Sequence, residues 1–368
     1  MKVTIITGNR PQFIKAAALY RAINQWNNEQ SKKMHAQLVH TGQHYDENMS
    51  DVFFSEMDLP KPNYFLGVGG CPQGAMTGRM LEKIETLLNK ERPSWVLVFG
   101  DTNSTLAGAL AATKMHIPVA HVEAGLRSFN REMPEEINRI LTDQCADLLF
   151  TPAEQASRQL LSEGILEQKI FQVGDVMLDA FLHYQKKAEQ KSTILEQLGL
   201  NSTDYVLVTI HRAANTDNSD RLKEIIMGLR TIGGTTRVVF SLHPRTKKAL
   251  EKQQLLASAK EDLMFIEPVG FFDMIQLESH AQMILTDSGG VQKEAYYCKV
   301  PCLILRDETE WTELLEYGFN RLVTAKKESI ITSFQECRKA HPNWGQELYG
   351  TGTSSKQIVE ILMRPIES

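Results

Sequence analysis

The 368-residue sequence contains no long apolar run and very little cysteine. None of its apolar segments approaches the roughly 20 residues that a membrane-spanning helix needs, so insertion into a membrane is not expected. The cysteines are odd in number and scattered, without a Cys-x-x-Cys pair or histidines at zinc spacing, so we expect reduced structural thiols and no metal site. They are Cys71, Cys145, Cys298, Cys302 and Cys337.

An excess of positive charge is also missing. Lys and Arg total 40 against 45 Asp and Glu, a net charge of −5, and basic and aromatic residues do not alternate. Nucleic acid is therefore a poor candidate partner, and an anionic ligand would need a local concentration of cations. The start, MKVTIITGNRPQFIK, lacks the long apolar segment of a signal peptide, so we expect a first strand there and a cytoplasmic protein.

What the sequence does contain is an alternation of short β-branched segments with longer amphipathic ones, which predicts βαβ units and parallel sheets. Its 368 residues fit two α/β domains of roughly 150 to 200 residues each. We expect an N-terminal Rossmann-like domain at 1–175, a C-terminal one at 176–350, and a helix within 351–368 that could pack back on the N-terminal domain. Predicted strands lie at 2–7, 36–41, 95–99, 117–122, 147–151 and 170–173, then at 205–210, 237–242, 263–267, 283–287 and 302–306.

Small and polar residues follow the predicted strands, at the ends where open α/β sheets bind ligands. In DSGGVQKE at 287–294, a strand meets a helix, so the backbone N–H groups of Ser288, Gly289 and Gly290 can face a phosphate. Such a junction is as often only a tight turn. Glu294, about one helical turn further on, could accept from ribose hydroxyls or remain an exposed helix carboxylate.

Basic side chains stand at strand ends in both halves. Arg10 and Lys15 flank a proline at the first strand-to-helix turn, where they can reach a ligand phosphate or remain solvated first-turn charges. His211 and His243 follow equivalent strands of the second half. A lone histidine is commonly structural, but His211 beside Arg212 resembles a group that meets a departing phosphate.

Three acids occur at or just after the ends of neighbouring strands: Asp101, Glu123 and Glu135. Several carboxylates that converge on one crevice are costly unless chemistry or cations use them. Any one of them could be a helix cap. The three together favour a functional cluster.

The motifs taken together resemble one family. They are RPQFIK at 10–15, HTGQHYDENMS at 40–50, GDTNST at 100–105, HVEAGLRS at 121–128, PEEINR at 134–139, GDVMLD at 174–179 and DSGGVQKEA at 287–295. Their order from residue 1 to about 325 is similar to that of the non-hydrolysing UDP-N-acetylglucosamine 2-epimerase family.

The resemblance implies a glycosyltransferase-B type fold with the active site in the cleft between two Rossmann-like domains. It also implies that the second domain holds most of the nucleotide, that the protein is a homodimer, and that no metal or nicotinamide cofactor is needed. The residues that match the family's catalytic set are Asp101, Glu123, Glu135 and His211. Those that match its UDP-binding set are Arg10, Lys15, Ser288, Gly289, Gly290 and Glu294; Arg139 matches a further active-site arginine, and Met274 stands where an aromatic residue commonly lies near the base.

The chain departs from the family's main branch in two motifs. RPQF at 10–13 replaces Arg-Pro-Glu-Ala, and Trp311 replaces an arginine used at the nucleotide, whose charge an aromatic ring cannot supply. The branch that acts on UDP-2,3-diacetamido-2,3-dideoxyglucuronate, made for surface polysaccharides such as O-antigen, favours RPQFIK and Arg-Asp-x-Thr-Glu-Trp. We therefore expect UDP-2,3-diacetamido-2,3-dideoxyglucuronate to be the preferred substrate, with UDP-N-acetylglucosamine as the alternative.

In relatives that act on UDP-N-acetylglucosamine, a second, regulatory substrate molecule binds beside the first. The Arg-Gln pair that those relatives use falls here in Gly-Val-Gly-Gly-Cys-Pro at 67–72, which argues against such activation. The Gly-rich segment 67–74 is a candidate part of a gate that closes over the substrate. The residues that match the second-site region are Gln43, His44, Glu136, Arg212 and His243.

The implied chemistry must first acidify a C2–H bond that lies next to no carbonyl group. Early cleavage of the C1–O bond makes the ring oxocarbenium-like, and loss of the C2 proton then gives a 2-acetamidoglycal plus UDP. We hypothesise that Asp101 and Glu123 move protons at C2, that Glu135 supports the cation, and that His211 stabilises or protonates the leaving phosphate. The alternatives are a glycosyltransferase of the same fold, a nucleotide-sugar sensor and a hydrolysing epimerase.

Overall fold

The computed structural model describes residues 1–43, 54, 57, 59–201, 203–340 and 342–364. It contains two compact units: the N-terminal unit is Met1–His183 with Glu347–Ser368, and the C-terminal unit is Tyr184–Gln346. The division falls inside the helix Val176–Lys191. Each unit has one parallel β-sheet, so the predicted α/β class with two Rossmann-like domains is confirmed.

The sheet of the N-terminal unit has seven parallel strands, in the order β3-β2-β1-β4-β5-β6-β7. The strands are β1 (Lys2–Thr7), β2 (His35–His40), β3 (Tyr64–Phe65), β4 (Trp95–Phe99), β5 (Val119–Val122), β6 (Leu148–Thr151) and β7 (Ile170–Gln172). Strand β1 pairs with β2 on one side and β4 on the other. The chain connections diverge between β1 and β4, at the switch point where sheets of this kind bind ligands.

Helices cover this sheet, and two of them begin directly beside the switch point. The helices are Arg10–Glu29, Gln73–Glu91, Asn103–Lys114, Pro134–Cys145, Glu154–Ser162, the first turns of Val176–Lys191, and Ser354–Leu362, with a short 3-10 turn at Glu167–Lys169. The Asn9 side chain caps the first helix after β1, and Thr102 forms a capping box after β4. The closing helix Ser354–Leu362 packs against Arg10–Glu29.

The sheet of the C-terminal unit has six parallel strands, in the order β10-β9-β8-β11-β12-β13. The strands are β8 (Tyr205–Ile210), β9 (Arg237–Leu242), β10 (Met264–Ile266), β11 (Met283–Thr286), β12 (Cys302–Ile304) and β13 (Asn320–Leu322). The helices are Ile194–Gln197, Ala213–Thr216, Ser219–Gly233, Pro244–Lys252, Leu256–Ala259, Phe271–Ser279, Gly289–Tyr297, Thr312–Glu316 and Lys327–Cys337. Strand β8 lies between β9 and β11, so the switch point of this sheet is at the ends of β8 and β11.

The strand predictions are confirmed to within two residues at each end. The sequence pattern does not predict β3 and β13, because two or three residues show no alternation to detect. Across the described ranges, no helix is both long and apolar enough to cross a bilayer.

Candidate active site

Asp101 follows β4 and is held by an arginine on a helix further along the chain. Arg139 donates to Oδ2 of Asp101 from Nε at 3.0 Å and from Nη2 at 2.8 Å. The amide of Asn138 donates to the Asp101 carbonyl at 2.9 Å. Arg139 is buried, whereas the Asp101 side chain is 33% exposed. The carboxylate is therefore fixed by a buried cation and still accessible.

The same arginine joins Asp101 to a second, buried carboxylate. Arg139 Nη1 donates to Glu136 at 2.6 Å, and Glu136 also accepts from the backbone N–H groups of Ser128 and Phe129 at 2.9 and 3.0 Å. Burial raises the pKa of Glu136, but the hydrogen bonds from Ser128, Arg139 and Phe129 outweigh it, so the pKa lies below its ordinary value. Glu136 thus anchors the loop before the helix. Its predicted contact with a second substrate molecule stays a prediction.

Glu123 follows β5 and forms an ion pair with Lys15 of the first helix. The two side chains are only 11% and 7% exposed. Glu123 has φ of 73°, a left-handed conformation that is unusual for a residue with a side chain and that marks local backbone strain. The structure therefore pairs a predicted UDP-binding lysine with a predicted catalytic acid inside the N-terminal unit.

Gly100 separates these two charged pairs. A Cβ atom at Gly100 would lie 3.1 Å from Glu123 Oε2 and 3.8 Å from Lys15 Nζ, and the residue has φ of 61°. A larger residue would therefore crowd the carboxylate and strain the backbone. The structure thus brings Asp101, Glu123, Lys15 and Arg139 to the ends of β1, β4 and β5.

The other two predicted site residues of this unit lie at helix starts. Glu135 is exposed in the first turn of Pro134–Cys145, one helical turn before Arg139. Arg10 is half-buried at the first position of its helix, directly after the end of β1. Arg10 thus lies at a strand end, whereas Glu135 lies at the start of a helix and not directly after β5; the roles of both residues stay predictions.

Gln12 is a structural residue of this site whose contacts the sequence pattern does not predict. Its buried amide nitrogen lies within hydrogen-bond distance of Phe99 O at 2.7 Å and of the hydroxyls of Thr102 and Thr105 at 2.9 Å each, and its carbonyl oxygen accepts from Gly8 N at 2.7 Å. It therefore ties the turn after β1 to the turn after β4. Only the departure from the family's Glu at this position could have drawn attention to it.

In the C-terminal unit, the buried Asp287 organises the switch point. Its carboxylate accepts from the backbone N–H groups of His211 and Arg212 at 3.0 Å each, and from the Asn215 amide at 2.9 Å. Asp287 lies at the end of β11 and His211 at the end of β8, so one carboxylate holds together the two strand ends. The sequence pattern does not single out this side chain, although it opens the DSGG motif.

His211 and His243 form a pair of imidazoles beside Asp287. Their ring centroids are 5.6 Å apart, and His211 Nδ1 lies 3.3 Å from Asp287 Oδ1. Partial burial lowers the pKa of His211, Asp287 raises it, and His243 with the nearby arginines lowers it, so the pKa lies below its ordinary value. Burial and Arg245 likewise lower the pKa of His243, whose Nδ1 accepts from Arg245 N at 3.2 Å. Both rings are therefore biased toward the neutral form.

The Ser-Gly-Gly turn begins the helix Gly289–Tyr297. Ser288 is the N-cap residue, but its side chain makes no capping hydrogen bond. A Cβ at Gly289 would lie 2.6 Å from Glu310 Oε1 and 3.8 Å from Arg212 Nη2, so a larger residue there would displace the Glu310 carboxylate. Gly290 is half-buried in the first turn, and Glu294 lies half-buried about one turn further on. The turn that we expect to bind a phosphate thus lies at the start of a helix.

Residues 306–311 contact the helix Gly289–Tyr297. Lys293 is buried, and its Nζ lies 4.0 Å from the centroid of the buried Trp311 ring, a cation–π contact. Arg306 donates to Glu310 at 2.9 Å, and both side chains are less than a tenth exposed. The ammonium group of Lys293 therefore contacts the ring of Trp311, which stands at the position where the main branch has an arginine.

The remaining predicted residues have mixed settings. Met274 is half-buried and packs against the C-terminal core. Gln43 accepts from Ser104 N at 3.1 Å and from Ser104 Oγ at 2.7 Å, so its amide anchors the helix after β4. Val68, in the candidate gate segment, is buried and donates to Thr41 O at 2.7 Å. His44 lies outside the described residues, and the second site and the gate stay predictions.

Ligands for a metal ion are not grouped in the part of the chain that the structure describes. There, no cluster of three or more His, Cys, Asp or Glu side chains is arranged around a common point. The five cysteines are unpaired. Burial raises the thiol pKa of Cys145, Cys298, Cys302 and Cys337, so these side chains are poor sources of thiolate.

Comparison with known proteins gives a consistent result. A family model described as UDP-N-acetylglucosamine 2-epimerase matches residues 27–363. A UDP-N-acetylglucosamine 2-epimerase homolog of Methanococcus maripaludis is 48% identical over 98% of this chain and 99% of its own length. The UDP-2,3-diacetamido-2,3-dideoxy-D-glucuronate 2-epimerase of Pseudomonas aeruginosa is 46% identical over 99% of this chain and 100% of its own length. The crystal structure of Methanocaldococcus jannaschii UDP-GlcNAc 2-epimerase in complex with UDP-GlcNAc and UDP is 46% identical, with a TM-score of 0.90 over 98% of this chain and 99% of that one.

The chain therefore belongs to the UDP-N-acetylglucosamine 2-epimerase family. It is an isomerase of the UDP-sugar 2-epimerase type. The family and enzyme class predicted from the motifs are confirmed, as is the glycosyltransferase-B type fold shared with the solved relatives. The roles of single residues and the sugar that the enzyme uses stay predictions.

Proposed function

We propose that the chain inverts carbon 2 of UDP-2,3-diacetamido-2,3-dideoxyglucuronate, from the gluco to the manno configuration, without releasing UDP from the product. One observation carries the proposed chemistry: two carboxylates follow adjacent strands, Asp101 after β4 and Glu123 after β5, each beside a cation. An arrangement of this kind provides two proton-transfer groups close together, as inversion at one carbon requires.

The reaction starts with the bond between C1 and the UDP oxygen. As that bond breaks, both electrons leave with UDP, and the ring gains oxocarbenium character that acidifies the C2 proton. A carboxylate then takes the C2 proton, and its C–H electron pair forms the C1–C2 double bond of a 2-acetamidoglycal. Delivery of a proton to the opposite face of C2, with return of the UDP oxygen to C1, gives the epimer.

In the N-terminal unit, Asp101 and Glu123 handle the protons at C2. The fixed contacts of Asp101 with Arg139 and of Glu123 with Lys15 hold each carboxylate oxygen in place before the substrate arrives. Such preorganisation lowers the cost of reaching the transition state. Glu135, exposed at the helix start, supports the cationic ring, and Arg10 contributes positive charge toward the pyrophosphate.

In the C-terminal unit, the Ser288 turn and His211 act on the leaving group. The N–H groups at the start of Gly289–Tyr297 bind phosphate oxygens, and Glu294 accepts from the ribose. The imidazole of His211 can donate a hydrogen bond to the departing oxygen from the ring nitrogen that carries hydrogen. Its lowered pKa favours the neutral form, in which one ring nitrogen donates and the other accepts. Asp287 fixes the backbone from which His211 projects.

The choice of sugar rests on the Arg306–Trp311 segment and on RPQFIK, which are similar to the branch that uses the diacetamido glucuronate. The 46% identity to the Pseudomonas aeruginosa enzyme supports it. UDP-N-acetylglucosamine is the alternative, supported by the 48% identity to the Methanococcus maripaludis protein. We also propose that the protein is a cytoplasmic homodimer and that its product is used in surface polysaccharide synthesis. Light scattering on the purified protein tests whether it is a dimer.

The decisive experiment gives the purified protein each candidate UDP-sugar in deuterated buffer and follows the products by NMR. Deuterium is expected at C2 of a UDP-linked epimer, and the faster substrate identifies the sugar. Asp101→Asn should abolish exchange while the affinity for UDP stays nearly unchanged, and Glu85→Gln, on the exposed face of Gln73–Glu91, serves as control. Exchange that persists in Asp101→Asn removes Asp101 from the mechanism, and a product released as a free sugar contradicts the non-hydrolysing reaction.

A further inference from the structure

A buried histidine joins the strand ends that carry the two carboxylates. His121 lies in β5 and is fully buried. Its Nε2 lies 2.8 Å from the carbonyl oxygen of Gly100, and its Nδ1 lies 2.7 Å from Oδ1 of Asp143, on the helix Pro134–Cys145. His121 is thus bonded to the residue immediately before Asp101 and stands two residues before Glu123.

The chemistry of these partners determines where the hydrogens lie. A peptide carbonyl only accepts, so Nε2 must carry a hydrogen for the bond to Gly100 to form. A carboxylate at 2.7 Å from Nδ1 also requires a hydrogen between the two atoms, because two lone pairs would repel. Asp143 therefore fixes the ring so that its Nε2–H points at Gly100.

Asp143 is itself held from behind by further buried charges. Its other oxygen accepts from Arg127 Nη1 at 2.8 Å and from Gly125 N at 3.2 Å. Arg127 in turn donates twice to Glu163, at 2.8 and 2.7 Å. Only Glu163, with a side chain 23% exposed, reaches solvent, whereas Arg127 and Asp143 are buried. This series of alternating charges, from Glu163 through Arg127 to Asp143, holds the imidazole of His121 in place.

Gly100 is the point on which this bracing acts. Its N–H donates to Val122 O at 2.9 Å and its carbonyl accepts from His121, so both of its peptide groups are tied to β5. A Cβ at this residue would lie 3.1 Å from the Glu123 carboxylate. The orientation of the Gly100 peptide therefore sets the position of the Asp101 backbone and the distance between Asp101 and Glu123.

We propose that His121 is a positioning residue for the epimerisation, which sets the spacing of Asp101 and Glu123 through its Nε2–H bond to Gly100. This inference rests on the proposed roles of those two acids in proton transfer at C2. His121 touches no substrate. It acts through the positions of the Asp101 and Glu123 carboxylates. Displacement of reacting groups by about 1 Å can cost on the order of a hundredfold in rate.

Two substitutions of His121 separate positioning from general structural damage. Glutamine places its amide nitrogen near the position of Nε2, so His121→Gln keeps the donor to Gly100 and loses the contact with Asp143. Asparagine places its amide near Nδ1, so His121→Asn keeps the contact with Asp143 and loses the bond to Gly100. Both remove a buried ring, and His35→Asn, at an exposed histidine of the same unit, is the control.

We expect kcat and the rate of C2 deuterium exchange to fall roughly tenfold to a hundredfold in His121→Asn, with KM changed by less than about threefold. His121→Gln should keep kcat within a few-fold of the unsubstituted enzyme, although both variants should melt earlier. The measurements use whichever of the two UDP-sugars the unsubstituted enzyme turns over. Equal kcat losses in the two variants, or no loss in either, would overturn the proposal.

A spectroscopic measurement tests the hydrogen bond without any substitution in the folded core. In protein labelled with 15N histidine, the His121 Nε2 should show the shift and one-bond coupling of a nitrogen that carries hydrogen, at pH 7 and without substrate. Through-bond correlation of the ring nitrogens with the assigned backbone of residue 121 identifies the resonance in the unsubstituted protein. An Nε2 without hydrogen overturns the proposal even if both variants fail to fold. Absence of any turnover by the unsubstituted enzyme would instead contradict the proposed function and leave this result standing.

Discussion

The two switch points of the molecule hold their functional groups in opposite ways. In the N-terminal unit, side chains hold side chains: Arg139 clamps Asp101 and Lys15 pairs with Glu123. In the C-terminal unit, one buried carboxylate, Asp287, holds the backbone from which a partly exposed imidazole projects. The first arrangement fixes charged oxygens in place, whereas the second presents neutral donors on a fixed backbone.

This difference corresponds to the two halves of the proposed reaction. Proton transfer at carbon needs carboxylates at defined positions, and ion pairing with a buried cation supplies both position and charge. Binding a pyrophosphate needs hydrogen-bond donors, and a backbone turn with neutral histidines supplies them without charges of its own that must be desolvated.

The largest effect is expected from removal of the charge on Glu123. Glu123→Gln keeps the shape of the side chain but takes away the group that accepts a proton, so the epimerisation rate should fall by about a hundredfold to ten-thousandfold. UDP affinity, measured by calorimetry, should change little, because the turn at Ser288 is intact. A variant with a normal rate would show that Glu123 only pairs with Lys15, and Glu85→Gln is again the surface control.

In the C-terminal unit, the matching change should act on stability more than on proton transfer. Asp287→Asn turns an amide toward the N–H groups of His211 and Arg212, which leaves buried donors without an acceptor, so unfolding should become easier by about 3 kcal/mol. Asp307→Asn, whose side chain is 67% exposed in its ion pair with Arg221, should cost about 0.5 kcal/mol or less. Guanidinium unfolding of both variants makes the comparison, and equal losses would contradict the organising role of Asp287.

Acid should weaken the protein through histidines that are buried in the neutral form. Burial lowers the pKa of His40 from about 6.5 to about 4, so below pH 6.5 the unfolded chain binds a proton that the folded chain does not. Stability from this residue is therefore lost as the pH falls, by about 2 kcal/mol between pH 7 and pH 5. In His40→Asn, which keeps an acceptor for Gly42 N, the loss over that interval should be smaller by this amount. His35→Asn, at the exposed end of β2, should keep the full loss.

The sequence predicts the elements better than it predicts the pairs between them. Alternation of β-branched and amphipathic segments locates the strands, and with them the polar residues that follow the strands, whose roles stay predictions. The pairing of Lys15 with Glu123 joins positions 108 residues apart, so only the packed fold determines it. In PEEINR, two adjacent glutamates have the same local pattern, yet Glu135 is exposed and Glu136 buried, because the phase of the helix against the sheet decides which one faces inward.

The smallest effect on stability should come from Ser288, and it tests whether this turn is built for a ligand. An N-cap serine usually stabilises its helix through a side-chain hydrogen bond, so its change to alanine costs about 1 kcal/mol. Ser288 makes no such bond, whereas Asn218, which caps Ser219–Gly233, accepts from Arg221 N at 3.0 Å. Ser288→Ala should therefore change stability by less than about 0.5 kcal/mol and weaken UDP binding roughly tenfold to a hundredfold, the value of one hydrogen bond to a charged group. Asn218→Ala should do the reverse, with a stability loss of about 1 kcal/mol and unchanged UDP affinity. If Ser288→Ala destabilised the protein and left UDP binding intact, the turn would be an ordinary helix start, and the contrast between the two switch points would lose its ligand-binding half.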